Sequence, residues 1–332
     1  VTLPTAPLSA ATLRKLEQIK RLSDSISGLS SLHPCEIVNG LFEALVSACI
    51  DAEAEEEEVA QQLDSLVRYF SRCLGADGNG PGLRSIAYQM EPGGLHFLLP
   101  SAQDRQSLIM KCGEAETLME RDFAQRLGAL ESEDDILASL ETFRFIRNYE
   151  MLTRLEYHLL LEEERCDPAN LRNVAFVGSG PLPLTTLCLV NVLLPHAVVT
   201  NYDIDRESNS IARRWMHALP SLRERVAFKT SDILDVPYEE LRRYDVIVLA
   251  ALVGLAPKMK SRILHHLHLG MKDGSYLLLR SAQGAKAFLY PVVEMGDLRE
   301  WTVCSVTHPK DEVVNSVIVV TKKVDIAEDL WR

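Results

Sequence analysis

Two glutamates, two tyrosines, an arginine and a glycine-rich turn carry most of the chemistry available to this 332-residue chain. Glu116, Glu120, Phe123 and Leu127 are spaced four, three and four apart, which puts them on one stripe of a helix. Acids that share a stripe with apolar residues are partly buried. Burial lifts a carboxyl toward the range in which it exchanges protons near neutral pH. The competing role for either acid is an ion pair, and Glu114, off the stripe, is expected in solvent. Tyr149 shares a second stripe with Phe145, Leu152, Glu156 and Leu159, so its ring packs in a core or its hydroxyl meets a substrate carboxylate or amine. Arg280 follows the apolar run Tyr276–Leu279, where a guanidinium would grip a carboxylate bidentately or join an interdomain salt bridge. Tyr290 is a further candidate for lining the same site.

The glycine turn is Gly178-Ser179-Gly180-Pro181-Leu182-Pro183, directly after the strand-like run Val174–Val177. Glycines there let the backbone approach a ligand at the carboxyl end of a strand. A dinucleotide fingerprint needs a third glycine where Pro183 stands, and proline removes an N–H that a pyrophosphate would use. The turn therefore suits a nucleoside without a pyrophosphate, with Gly178, Ser179 and Gly180 against it. Asp203 lies about 20–25 residues on, where an acidic side chain meets ribose hydroxyls; Asp205 is better placed to cap the next helix. Asp232, after the third strand, is set to meet an adenine amine or to cap a turn. Ala250, after the fourth, completes the row of strand tips.

The elements that must position these residues fall into two halves. From about Ala10 to Glu164 apolar residues recur at helical spacing, which predicts helices near 9–29, 36–50, 54–75, 104–130 and 133–165. Ser9 and Ser101 are plausible N-caps, residues 75–82 are a break, and the acidic run Glu55–Glu58 reads as a solvated first turn. After Pro168, short β-branched runs alternate with helical segments at 182–194, 206–218 and 257–269, implying βαβ units and a parallel sheet. The runs around Thr302–Thr307 and Asn315–Val320 are joined by too short a link for a crossover helix and should form an antiparallel hairpin at the sheet edge. Pro257 and Gly270 bracket the 257–269 helix as an N1 proline and a C′ glycine. The division predicted is a helical domain over 1–168, capping the active site, and a Rossmann-like domain over 169–332. The glycine turn, Asp203, Asp232, Tyr244-Asp245 and the terminal hairpin together resemble the S-adenosylmethionine-dependent methyltransferase fold.

Composition narrows the partners. A formal net charge of −12 repels phosphate backbones, which argues against nucleic acid and for a small-molecule substrate. The 7 cysteines show no CxxC spacing, as expected of reduced thiols in a cytoplasmic protein. No signal-peptide pattern opens the sequence, and its most apolar stretch, Leu182–Thr200, is broken by Asn191, Pro195 and His196, which argues against a membrane span. His265 and His268 share a helix face without a third ligand, so no metal site is expected there.

Several motifs resemble the nicotianamine synthase family. They are Gly178–Leu184, Asn201-Tyr202-Asp203, Tyr244–Val246 followed by Leu249–Gly254, Arg280–Gly284 with Phe288–Val293, and His308-Pro309 with Val313–Ile318. In the helical half, Cys112–Glu116 with Glu120, and Asn148-Tyr149 with Leu155–Tyr157, extend the similarity over about 105–322. Phe143–Arg147 stands where plant members carry an aromatic Pro-Tyr segment, and Gln283 replaces a common histidine.

The resemblance implies an aminopropyl (aminobutyrate) transferase. Members of that family join units from S-adenosylmethionine, release methylthioadenosine, and make a product that chelates metals in metal homeostasis, with no metal required by the enzyme. The sulfonium substrate must then present the γ-carbon of its amino-acid arm, not its methyl, to an amine that has lost its proton. The family's catalytic glutamate falls in the Glu116/Glu120 motif, and both acids stand as candidates, with Tyr149 beside them. A conventional methyltransferase and a catalytically inactive scaffold are the alternatives; a scaffold gains nothing from buried acids.

Overall fold

The computed structural model describes residues 9–54, 61, 102–164, 166–256 and 258–322. The expected helix over most of 54–75, the run Glu55–Glu58, the break at 75–82, the Ser101 cap and Pro257 lie outside the described residues. Seven strands form one sheet: β1 (Asn173–Val177), β2 (Val198–Asp203), β3 (Val226–Thr230), β4 (Val246–Leu249), β5 (Tyr276–Ser281), β6 (Trp301–Thr307) and β7 (Ser316–Lys322). Their order is β3-β2-β1-β4-β5-β7-β6. The first five pair in parallel, and β7 enters antiparallel between β5 and β6. The Rossmann-like reading and the terminal hairpin are borne out. The chain runs outward from β1 through β2 to β3, then returns to place β4 on the other side of β1. That reversal opens the crevice at the strand tips where such sheets bind ligands.

The helices are α1 (Ala10–Ser27), α2 (Glu36–Ala54), α3 (Ala102–Leu127), α4 (Glu133–Leu140), α5 (Ile146–Leu161), α6 (Leu184–Cys188), α7 (Arg206–Met216), α8 (Tyr238–Leu241) and α9 (Met259–Gly270). Ser9 caps α1, its side chain accepting from the Thr12 N–H at 3.1 Å. The single helix expected over 133–165 is two. Thr142 turns its hydroxyl back onto the Ser139 carbonyl, and Phe143 swings inward to pack on Phe123 at 4.8 Å between ring centroids. The expected helix over 182–194 is short α6 followed by a π-helical turn, Leu189–Leu193. There Arg225 takes the Val190 carbonyl at 2.7 Å, diverting it from the regular ladder. Gly270 is the last residue of α9 and Met271 its cap. The glycine is there for closeness instead: a Cβ on it would sit 2.4 Å from the Leu241 Cδ1.

The chain forms two compact units. The first comprises residues to Leu118 with Ala282–Val292 and Pro309–Val314, and the second comprises Met119–Ser281, Val293–His308 and the chain from Asn315. In the first unit α1, α2 and the first part of α3 bury Leu16, Ile19, Leu45, Cys49 and Leu108 around Phe288 and Val314. Buried Lys286 ties its two late segments together, donating to the carbonyls of Pro309 (2.7 Å) and Val313 (2.8 Å). In the second unit the sheet core includes Val177, Ile247, Leu277 and Ile318, with Leu264 and Leu267 of α9 packed on them.

Candidate active site

At the tip of β1 the backbone folds sharply, with Gly178 at φ 77° and Gly180 at φ 65°, the left-handed region that disfavours side chains. The N–H groups of Gly178 and Ser179 both donate to the Tyr202 carbonyl, at 2.8 and 3.2 Å. A Cβ on Gly178 would lie 2.3 Å from the Val253 Cγ2 and 3.2 Å from the Ala250 Cβ. Below the turn, the Trp215 indole of α7 donates to the Pro181 carbonyl at 3.2 Å. The Ser179 hydroxyl is buried with no hydrogen-bond partner among the described residues. A buried hydroxyl seeks a partner, so the orphaned Ser179 hydroxyl in the glycine turn at the strand tips fits a polar ligand.

Asp203 ends β2 and accepts from the Gly180 N–H at 2.8 Å with one oxygen and from the Asp205 N–H at 2.9 Å with the other. Burial pushes its carboxyl above the usual value, opposed by those N–H groups. Asp205 does what its position suggested: it caps α7, accepting from the N–H groups of Glu207 and Ser208. Burial would raise Asp205, but the Ser208 hydroxyl, the two N–H groups and the Arg121 charge together hold it below the ordinary carboxylate value. Asp232 caps a short 3-10 turn through the Leu234 N–H at 3.0 Å. Ala250 continues from β4, its N–H on the Val177 carbonyl at 3.0 Å.

The two stripe glutamates differ in surroundings. Glu120 is 7% exposed, accepts from the Tyr149 hydroxyl at 2.6 Å, and its Oε2 lies 3.2 Å from where a Cβ on Gly180 would be. Helix α3 thus delivers a buried carboxylate to the glycine turn, and α5 delivers the phenol that orients it. Glu116, one turn earlier on α3 and half-buried, accepts from the Tyr290 hydroxyl at 2.9 Å. That pair lies within the first unit, whereas Glu120, Tyr149, the glycine turn and Asp203 lie within the second. Glu114 is exposed, as expected.

For Arg280 the sequence left two roles open, a grip on a substrate carboxylate and a salt bridge between the expected domains; its guanidinium pairs with Glu156. Its Nε and Nη2 reach Glu156 at 2.7 and 2.9 Å, Nη2 also reaches the Thr185 hydroxyl at 2.7 Å, and the guanidinium stands 5.3 Å from the centre of the Phe176 ring. Sequence reasoning noted Glu156 on an apolar helix stripe and Arg280 in an apolar strand without joining them, although each buried charge demanded a partner. Two further side chains went unnoticed. Asn209 of α7 donates to the carbonyls of Asp203 and Lys229 and to the Thr230 hydroxyl, binding the tips of β2 and β3. Lys260 of α9, buried, donates to the Ala251 carbonyl at 3.1 Å beneath the loop after β4, and burial pushes its amine down to about 8. The signal for Lys260 was a lone charged residue on an otherwise apolar helix face. Among the described residues no group of His, Cys, Asp or Glu could hold a metal ion, and no helix is long and apolar enough to cross a membrane.

A family model described as "Nicotianamine synthase protein" matches residues 95–327. "Probable nicotianamine synthase 4" of Arabidopsis thaliana is 37% identical over 309 residues, 92% of this chain and 82% of that protein. "Nicotianamine synthase" of Solanum lycopersicum is 36% identical over 308 residues, 92% of this chain and 83% of its own length. Among solved structures, a glutamate-to-glutamine mutant of MtNAS in complex with S-adenosylmethionine superposes with a TM-score of 0.67 at 18% identity, covering 92% of this chain and 97% of the other. MtNAS in complex with MTA and tNA gives 0.64 at 19%, with the same coverage. The structural likeness establishes the fold. With the matched family model and these relatives, it follows that the chain belongs to the nicotianamine synthase family.

Proposed function

We propose that this chain is a nicotianamine synthase: it condenses S-adenosylmethionine molecules by transferring their 3-amino-3-carboxypropyl arms to an amine, releasing methylthioadenosine. The observation that carries the mechanism is the Glu120 carboxylate, buried beside the Gly180 turn and held by Tyr149 at 2.6 Å. In each transfer the amine nitrogen forms a bond to the γ-carbon, the carbon–sulfur bond breaks, and its electron pair stays on sulfur. The proton leaving the amine passes to Glu120. A carboxylate at that spot also favours the cationic sulfonium and amine electrostatically, and burial strengthens the attraction. Positioning supplies the rest, because the same sulfonium carries two other electrophilic carbons.

In this reading Gly178, Ser179, Gly180 and Ala250 hold the nucleoside, Asp203 accepts from its ribose hydroxyls and Asp232 from its adenine amine. Glu116 with Tyr290 is the second acid–phenol pair and the alternative base. Arg280 supports the site from below through Glu156 and Thr185. We place the reaction in the cytoplasm, on the ground that the 7 cysteines are scattered along the sequence with no CxxC spacing.

Paired substitutions test the mechanism. Glu120→Gln keeps the shape and removes the base, so methylthioadenosine release from S-adenosylmethionine should fall by about 10²-fold or more, with Glu116→Gln falling less. Full activity in both variants would end the proposal for these acids.

A further inference from the structure

Arg121 follows Glu120 on α3 and points to the tip of β2. Its Nη2 lies 2.7 Å from Asp205 Oδ2 and its Nη1 lies 3.1 Å from Glu207 Oε2, while its Nε is buried without a hydrogen-bond partner among the described residues. Asp205 donates its N–H to Asp203, and Asp203 accepts from the Gly180 N–H. Gly180 in turn is the residue whose missing Cβ makes room for the Glu120 carboxylate. The contacts therefore close a ring: Glu120, Arg121, Asp205, Asp203, Gly180 and back to Glu120, all within the second unit.

We infer that Arg121 is a positioning residue for the transfer reaction, fixing the α3 backbone so that the Glu120 carboxylate stays at the glycine turn. This rests on Glu120 acting as the base. The ring explains why an arginine stands here: its planar fork meets two separate carboxylates at once, which a lysine's point charge does less well. It does not explain Arg121 as a stability device. Arg121, Asp205 and Glu207 are 26%, 39% and 60% exposed, and ion pairs so open to solvent add little to stability. What a fixed geometry changes is the rate, since displacing a reacting group by ~1 Å costs on the order of 10-fold to 100-fold.

The test compares wild type, Arg121→Met and Arg121→Lys, measuring the kcat of methylthioadenosine release from S-adenosylmethionine and the calorimetric Kd of methylthioadenosine itself. The expected result for Arg121→Met is a kcat lower by at least about 10-fold with a Kd within about 2-fold of wild type, and a partial recovery of kcat in Arg121→Lys. Because binding is read separately, a merely structural loss would show as kcat and affinity falling together, and that result overturns the inference. So does a kcat within about 2-fold of wild type. Should Arg121→Met not fold, Glu207→Gln, which leaves the Asp205 cap intact, must lower kcat at unchanged Kd or the inference fails. Absence of methylthioadenosine from the wild-type reaction would instead refute the proposed function, so the two failures are distinguishable.

Discussion

Arg280→Met removes the cation beside the buried Glu156 carboxylate while keeping most of the side-chain volume. Both partners are deeply buried, at 4% and 2% exposure, and they meet through two hydrogen bonds of 2.7 and 2.9 Å. A carboxylate left alone in such surroundings keeps its desolvation cost and loses its Coulomb partner, so the substitution should destabilise the second unit by about 3–5 kcal/mol. The Thr185 hydroxyl loses its contact too, adding about 1 kcal/mol. Replacing both members, Arg280→Met with Glu156→Leu, removes both charges and should return most of that loss, because a paired buried ion bridge is close to neutral against apolar residues of similar size. Guanidinium denaturation followed by tryptophan fluorescence suits the measurement, since Trp215 and Trp301 are both buried in this unit. Methylthioadenosine affinity serves as the second readout, and the double variant should hold it within about 3-fold, a change of ~0.7 kcal/mol. Two results would refute the reasoning. One is a single-variant loss below about 1 kcal/mol. The other is a double variant that folds as stably as wild type yet cannot bind, which would return Arg280 to the role of gripping a substrate carboxylate.

Three further outcomes follow from the geometry. Gly180→Ala forces a side chain into φ 65° and against the Glu120 Oε2, so it should cost about 1–2 kcal/mol in denaturation and lower turnover well beyond that share; undiminished turnover would contradict the placement of Glu120. Tyr149→Phe deletes the 2.6 Å bond to the buried Glu120 carboxylate, so it should lower kcat about 10-fold or more and cost about 1–3 kcal/mol in denaturation; an unaltered kcat would show that the phenol does not orient the base. Lys260 gives a pH signature. Its amine sits at about 8 in the fold against 10.5 unfolded, so below pH 8 the buried charge opposes folding in full, and the opposition fades as pH rises toward 10.5. Wild type should therefore gain roughly 3 kcal/mol relative to Lys260→Met between those limits, measured by denaturation at each pH. A difference that does not change with pH would mean that Lys260 reaches solvent.

Local pattern makes the sheet legible in the sequence. Val246–Leu249 and Tyr276–Leu279 are continuous apolar runs of strand length, and the short link after Thr307 left only a hairpin for β6 and β7. The glycine turn was equally plain, because residues 178 and 180 had to adopt conformations that side chains resist. Pairings across the chain were not readable. Glu156 and Arg280 are 124 positions apart, and Tyr290 is 174 from Glu116; sequence singled out Arg280, Tyr290 and Glu116 as site candidates and Glu156 only as a neighbour on the Tyr149 stripe, with no rule for joining them. The break between α4 and α5 escaped for the same reason, since Phe143 leaves the helix to meet Phe123 on another element. The late segments Ala282–Val292 and Pro309–Val314 pack in the first unit because Lys286 and Phe288 engage residues far from them in sequence.

The most direct test is the identity of the nucleoside left when the purified protein is incubated with S-adenosylmethionine alone. Transfer of the amino-acid arm predicts methylthioadenosine, accumulating together with a condensed amino acid in the mass spectrum. S-adenosylhomocysteine in its place would mean that the methyl group faces the nucleophile and would contradict the account at its root.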